Sequence, residues 1–237
     1  MVRSTHFYSC MISGFAAGLF ILSPPAWATT AAEQGQTIAA SGGAGIPACV
    51  ACHGAQGEGM AAAGFPYLAG QGAAYLALQL QDFASGERGN PIMAPIAKAL
   101  NPEQIKALAA YYGKLPAPFN KKALSGHIES YPKKEAVGAW IANRGDWNNN
   151  IPACIQCHGP GGVGVGDNFP AIAGLPAQYI RQQLLAWKEK KRPSGPLALM
   201  GEIANRMNDE QITAVADYFA ALPGSVQNAS PAKQGAK

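Results

Sequence analysis

Apolar residues recur at helical spacing in two matching stretches of the chain, Tyr75 to Phe83 and Tyr179 to Trp187. In the first, Leu76, Leu80 and Phe83 fall on one face, as an amphipathic helix requires. Two later helices announce their starts, Asn101-Pro102-Glu103-Gln104 and Asn208-Asp209-Glu210-Gln211. An Asn N-cap with Gln three positions on, and Pro at the first helical position of the first copy, is a helix-start signal. Each of these helices is expected to stop before a Leu-Pro, at Leu115-Pro116 and Leu222-Pro223. Shorter helices are expected at residues 31–40 and near 136–143. Gly- and Pro-rich loops separate them and no strand pattern is present, so the pattern predicts an all-α chain.

The order of these features is duplicated. Pro47-Ala48-Cys49-Val50-Ala51-Cys52-His53-Gly54 recurs as Pro152-Ala153-Cys154-Ile155-Gln156-Cys157-His158-Gly159, 105 residues on. Phe65-Pro66 recurs as Phe169-Pro170, and Tyr75, Gln79, Leu80, Phe83 and Arg88 match Tyr179, Gln183, Leu184, Trp187 and Arg192. A period this long means tandem domains, not a solenoid of short units. The expected division is 29–117 for the first domain, 118–134 for a linker, 135–225 for the second and 226–237 for a disordered tail.

Residues 1–28 stand apart. Arg3 precedes an apolar run from Met11 to Leu22, which ends at Ser23-Pro24-Pro25-Ala26-Trp27-Ala28. That order is the pattern of a secretory signal, and the run is shorter than the ~20 residues of a membrane-spanning helix. Cleavage after Ala28 and a periplasmic location are expected. The remaining chain has 17 Lys+Arg against 14 Asp+Glu, since only Arg3 is lost. So small an excess gives no case for nucleic-acid binding.

Export changes the meaning of the cysteines. Four remain, in two Cys-x-x-Cys pairs, and outside the cytoplasm an even count suggests disulfides. In each pair, however, the next residue is His, for which disulfide chemistry has no use. Cys-x-x-Cys-His is the attachment signal of c-type haem. Cys49 and Cys52, like Cys154 and Cys157, would form thioethers with the two haem vinyl groups. His53 and His158 would ligate the iron from the proximal side. Zinc would require the two motifs to be brought together, whereas the duplication suggests one site per domain.

The repeat also selects the second axial ligands. Met93 and Met200 each lie eight residues before the Asn that opens the last helix. Met207 pairs with Leu100 and reads as core, and Met60, which has no counterpart, also reads as core filler. His/Met ligation raises the reduction potential and closes the iron to substrates. His127, in the linker, reads as a solvated residue.

With ACVACHGAQGEG, FPYLAGQ, YLALQLQDFASGERGNPIM and LNPEQIKALAAYY and their second copies, the chain resembles the dihaem cytochrome c4 family over nearly its whole mature length. The resemblance implies two tandem class I cytochrome c domains, each a small helical bundle around one of two covalently bound haem c groups. It implies that the carbonyls of Pro66 and Pro170 hold the ligand imidazoles, and that the domains lie face to face. Tyr111, Tyr112, Tyr218 and Phe219 would be core, because the last helix packs across the first. The second half departs from the pattern at Asp146 to Asn150 and at Pro193 to Pro196.

The function expected is that of an electron carrier, not an enzyme. It would shuttle single electrons from a membrane quinol-oxidising complex or a dehydrogenase to a terminal oxidase or reductase, with transient association at the membrane surface. The alternative is a dedicated cytochrome subunit of a dehydrogenase oxidising thiosulfate or an alcohol. A haem enzyme would need an open axial position, and no spare Cys or well-placed His offers one. Lys188, Lys190, Lys191 and Arg192 are expected either to form a basic patch that steers an acidic partner towards the second haem, or to be a solvated helix end whose cations complement the helix dipole.

Overall fold

In each half the first and last long helices cross at a glycine. The computed structural model describes residues 1, 30–43, 45–127, 132–193, 195 and 197–228. In the first half α1 (Ala31–Ser41) crosses α5 (Pro102–Lys114), and in the second α7 (Val137–Arg144) crosses α11 (Asp209–Asn228). A Cβ on Gly35 would collide with the carbonyl of Ala107, and one on Gly138 with that of Ala214. The backbones touch because nothing larger than hydrogen fits. Gly35→Ala and Gly138→Ala should each cost about 1–3 kcal/mol through overpacking, read by denaturant unfolding of the haem-loaded protein. Gly126→Ala is the control, because no atom lies within 4 Å of its added Cβ.

The other helices form in the same order in both halves. α2 (Val50–His53) and α8 (Ile155–His158) carry the motif histidines. α3 (Ala73–Ser85) and α9 (Ala177–Lys188) are the amphipathic pair. α4 (Met93–Lys98) and α10 (Leu199–Arg206) are short helices that the apolar pattern did not announce. Among the described residues there is no strand, only isolated bridges. The N-terminal signals act as the sequence suggests. Asn101 and Gln104 cap each other's backbone amides at 2.9 Å, and Asn208 and Gln211 do so at 3.0 and 2.8 Å.

One helix end differs from expectation. α5 stops at Lys114, ahead of Leu115-Pro116, but α11 continues through Pro223 to Asn228. A proline inside a helix leaves the carbonyl four residues earlier without its donor. Here that carbonyl belongs to Phe219 and accepts the N–H of Gly174 at 2.8 Å, so the orphaned group is satisfied.

The stretch expected as a linker is also largely built. It contains α6 (Lys121–Gly126), and Phe119 and Leu124 are buried in the second core with Ile151, Ile212 and Phe219. Phe119 meets Tyr67 of the first half edge-on at 5.6 Å. Part of the segment, 128–131, lies outside the described residues, as do 2–28 of the expected signal, residue 29 and 229–237 of the expected tail. Among the described residues no helix is long and apolar enough to cross a membrane.

Candidate functional site

Each motif histidine ends a helix of one turn and is buried, His53 at 7% exposure and His158 at 8%. Nδ1 of His53 lies 2.8 Å from the carbonyl oxygen of Pro66, and Nδ1 of His158 lies 2.8 Å from that of Pro170. A carbonyl only accepts, so Nδ1 carries the proton and Nε2 keeps its lone pair. Burial favours the neutral ring in both, although the proline carbonyl pulls the other way. Neutral imidazole with a free, oriented Nε2 is the form that ligates a metal.

The cysteines fit attachment better than redox exchange. All four are free thiols. Burial pushes the Cys49 thiol up and that of Cys154 up to about 12. Reactive dithiols need the opposite shift. Among the described residues no three His, Cys, Asp or Glu side chains gather as a metal cluster, and the two motifs stay in separate halves.

A cavity of about 510 Å³ opens beside α2. Cys49, Cys52, His53, Pro66 and Met93 all line it, with Leu76, Phe83, Leu100 and Leu108 as apolar wall. Met93 is fixed by Asn90, whose Oδ1 accepts the N–H groups of Ile92 and Met93 at 2.9 and 2.8 Å and so starts α4. In the second half Met200 and Cys154 are half-buried against one core cluster. There α10 starts instead from Ala198, whose φ of 51° is left-handed. Met207 is core at 3% exposure, as its position in the repeat suggests, whereas Met60, expected as core filler too, is exposed at 43% because it sits in a Gly-rich loop; His127 is exposed. Tyr112 and Phe219 are buried.

Between the halves lies a polar cluster that the sequence reading left without a role. Arg88 of the first half donates to Oε1 of its own Gln79 at 2.8 Å and crosses to Tyr179 at 3.0 Å and Gln183 at 2.7 Å. Arg192 donates to its own Gln183 at 3.0 Å and crosses to Tyr75 at 3.2 Å and Gln79 at 2.7 Å. Each guanidinium stacks on the aromatic of its own half, Phe83 at 4.4 Å or Trp187 at 4.0 Å. The arrangement has an approximate two-fold symmetry. Its signal was in the duplication, because Tyr75, Gln79 and Arg88 are repeated without change.

This placement removes Arg192 from the expected basic patch and leaves Lys190 and Lys191 exposed. Arg192 is only 7% exposed and faces the other half. Lys188 donates to the carbonyl of Met207 at 2.6 Å, and Lys191 pairs with Glu189 at 2.7 Å. A run of cations in sequence became one buried guanidinium, one lysine bonded to a carbonyl and two exposed lysines, because helix α9 ends within the run.

Among the described residues neither buried arginine has a carboxylate within 4.0 Å. Two cations held in a buried interface by amides and phenols, with the Asp82 carboxylate farther off, suit a closer anion. Both line the same cavity as His53 and Met93. A haem c fits this donor set: thiols for its vinyl groups, an oriented imidazole and a thioether for its iron, and guanidiniums for its propionates.

Two helical halves, each with a Cys-x-x-Cys-His turn, a carbonyl-held imidazole and a methionine, define a dihaem c-type cytochrome. The cytochrome c family model matches residues 32–116 and 148–223, and the chain belongs to that family, in its dihaem cytochrome c4-like branch. A thiosulfate dehydrogenase electron acceptor from Stutzerimonas stutzeri (strain A1501) is 51% identical over 80% of this chain and 86% of its own. Cytochrome c4 from Thiocapsa roseopersicina is 35% identical over 73% of this chain and 86% of its own. A solved thiosulfate dehydrogenase from Marichromatium purpuratum superposes with a TM-score of 0.71 at 40% identity, over 86% of this chain. This chain spans only 44% of the length of that one.

Proposed function

We propose that this protein is the periplasmic electron acceptor of a thiosulfate-oxidising dehydrogenase, taking electrons one at a time and handing them to a respiratory acceptor such as a terminal oxidase. The observation that carries the reading is the gap between 51% identity to a thiosulfate dehydrogenase electron acceptor and 35% to a cytochrome c4. The match to under half of a solved thiosulfate dehydrogenase chain fits an acceptor part working beside a separate catalytic part. When bound, the haem supplies reversible one-electron chemistry.

What the chain contributes is position. Cys49, Cys52, Cys154 and Cys157 anchor the two groups, and Pro66 and Pro170 orient His53 and His158. Met93 and Met200 would supply the remaining iron ligands and shut out substrates, which is why the protein is read as a carrier and not as an enzyme. Residues 1–28 serve as the export signal, cleaved after Ala28. The domain division at 117 and 135 keeps one attachment motif in each unit.

Stopped-flow mixing of the oxidised protein with thiosulfate alone and with thiosulfate plus a thiosulfate dehydrogenase tests the assignment. Reduction of both haems only when the dehydrogenase is present is the expected result. Reduction by a quinol-oxidising complex but not by the dehydrogenase would return the protein to the general respiratory pool.

A further inference from the structure

Gln71 of the first half is buried at 4% exposure and reaches across the interface to a single residue of the second. Its Nε2 donates to the carbonyl of Ala171 at 2.9 Å, and its Oε1 accepts the N–H of Ala171 at 3.0 Å. The side-chain amide thereby clamps the backbone as a neighbouring strand would. The peptide that supplies this N–H is the Pro170–Ala171 unit, whose carbonyl holds Nδ1 of His158 at 2.8 Å. An interdomain hydrogen bond and the histidine's bond therefore sit at opposite ends of one peptide group.

Hydrogen bonds in series polarise one another. An amide whose N–H is engaged carries more negative charge on its oxygen and accepts more strongly. The Nδ1–H of His158 then gives up more of its proton density, and the ring becomes a better donor through Nε2. Such outer partners raise ligand basicity, and a more basic ligand favours the oxidised metal.

The first half has no equivalent device. The position matching Gln71 in the duplication is Leu175, so it offers the Pro66–Tyr67 peptide no such clamp. The two histidine bonds are equally long, 2.8 Å each. The asymmetry therefore lies in the acceptor's polarisation and not in its distance.

We propose that Gln71 is a positioning residue for the second haem, acting from the first domain through the Pro170–Ala171 peptide on His158 and holding that haem at a lower potential than its own domain would. The proposal rests on the reading of His158 as the proximal ligand. It makes the docked interface part of the tuning of the pair.

Gln71→Met keeps the length of the side chain and removes both amide atoms. In the haem-loaded protein it should shift the one-electron reduction equilibrium of the second haem about threefold towards the reduced form, where tenfold is 59 mV, and leave the first haem nearly unchanged. The Ala171 amide should lose protection from hydrogen exchange. Tyr67→Phe serves as the control. It removes another contact across the same interface, the Tyr67 hydroxyl to the Ala173 carbonyl at 3.0 Å, without touching the Pro170–Ala171 peptide.

An equal shift in Y67F would mean that loosened docking explains the effect, and the proposal falls. No shift in Q71M also overturns it. In the reduced wild-type protein, the Nδ1–H of His158 should resonate downfield of that of His53 and exchange more slowly; identical behaviour counts against the proposal even if Q71M does not fold. Absence of a coordinated-imidazole signal for His158 would remove the ligand assignment itself, whereas its presence with no Q71M effect would sink only the role of Gln71.

Discussion

Met93→Ala is expected to convert the first haem from a closed, low-spin carrier into a high-spin site that binds carbon monoxide and cyanide. Its potential should fall by on the order of 0.1–0.3 V, a fraction of the ~0.8 V range over which axial ligands set haem potentials. The reasoning starts from position. Met93 lines the cavity that also holds His53 and both cysteines, and its backbone is pinned there by the Asn90 carboxamide. Alanine keeps that turn and its cap but removes the thioether. The weak far-red sulfur-to-iron band of the oxidised protein should drop by about half, the remaining half reporting Met200, since a methionine is more often filler than ligand and only the ligand carries this band. Redox titration with optical detection, with and without carbon monoxide, reads each of these changes. Met207→Ala should leave both spectra intact and lower stability instead, by ~2–5 kcal/mol as a buried methionine truncation does. If the two variants behaved alike, Met93 would be core filler and the site would need another ligand.

Much of this was legible in the residues, for definable reasons. The helix starts were readable because Asn101/Gln104 and Asn208/Gln211 act locally, through bonds spanning three residues. The histidine turns were readable because haem attachment demands a fixed spacing. Met93 and Met200 were separable from Met60 and Met207 only because the duplication supplied an internal control. What could not be read was set by long-range contact. The helix through Pro223 depends on Gly174, 45 residues away in sequence from Phe219, offering its N–H to the freed carbonyl. Phe119 and Leu124 sit in a Pro-, Lys- and Ser-containing stretch with no clear periodicity, yet they complete the second core. Arg192 looked like one more surface cation because three lysines precede it closely. Only the identity of Arg88 at the matched position hinted that it did something common to both halves.

Arg88→Met and Arg192→Met should each destabilise the docked holoprotein by about 3–5 kcal/mol, the usual cost of breaking a buried charged cluster by removing one member. The cost has two parts. Gln79 and Gln183 each lose one of two guanidinium donors, and Tyr179 or Tyr75 loses its cross-domain partner. The second part is the loss of a buried guanidinium that would hold a haem propionate in the cavity it lines. Because both arginines share the same two glutamines, the double variant should cost less than the sum, with an interaction of ~0.5–3 kcal/mol. Two independent structural arginines would instead add. Both arginines line the cavity of His53 and Met93, so removing either positive charge should also favour the oxidised form of the first haem, opposite in sign to the effect of Gln71→Met on the second. Small-angle scattering should show the halves separating, while the helical content of each half is retained by the α1–α5 and α7–α11 packing. An Arg88→Lys protein keeps the charge but cannot fork to Gln79, Tyr179 and Gln183 at once. It should recover much of the potential and little of the docking, which separates the electrostatic contribution of the cluster from its role as a joint.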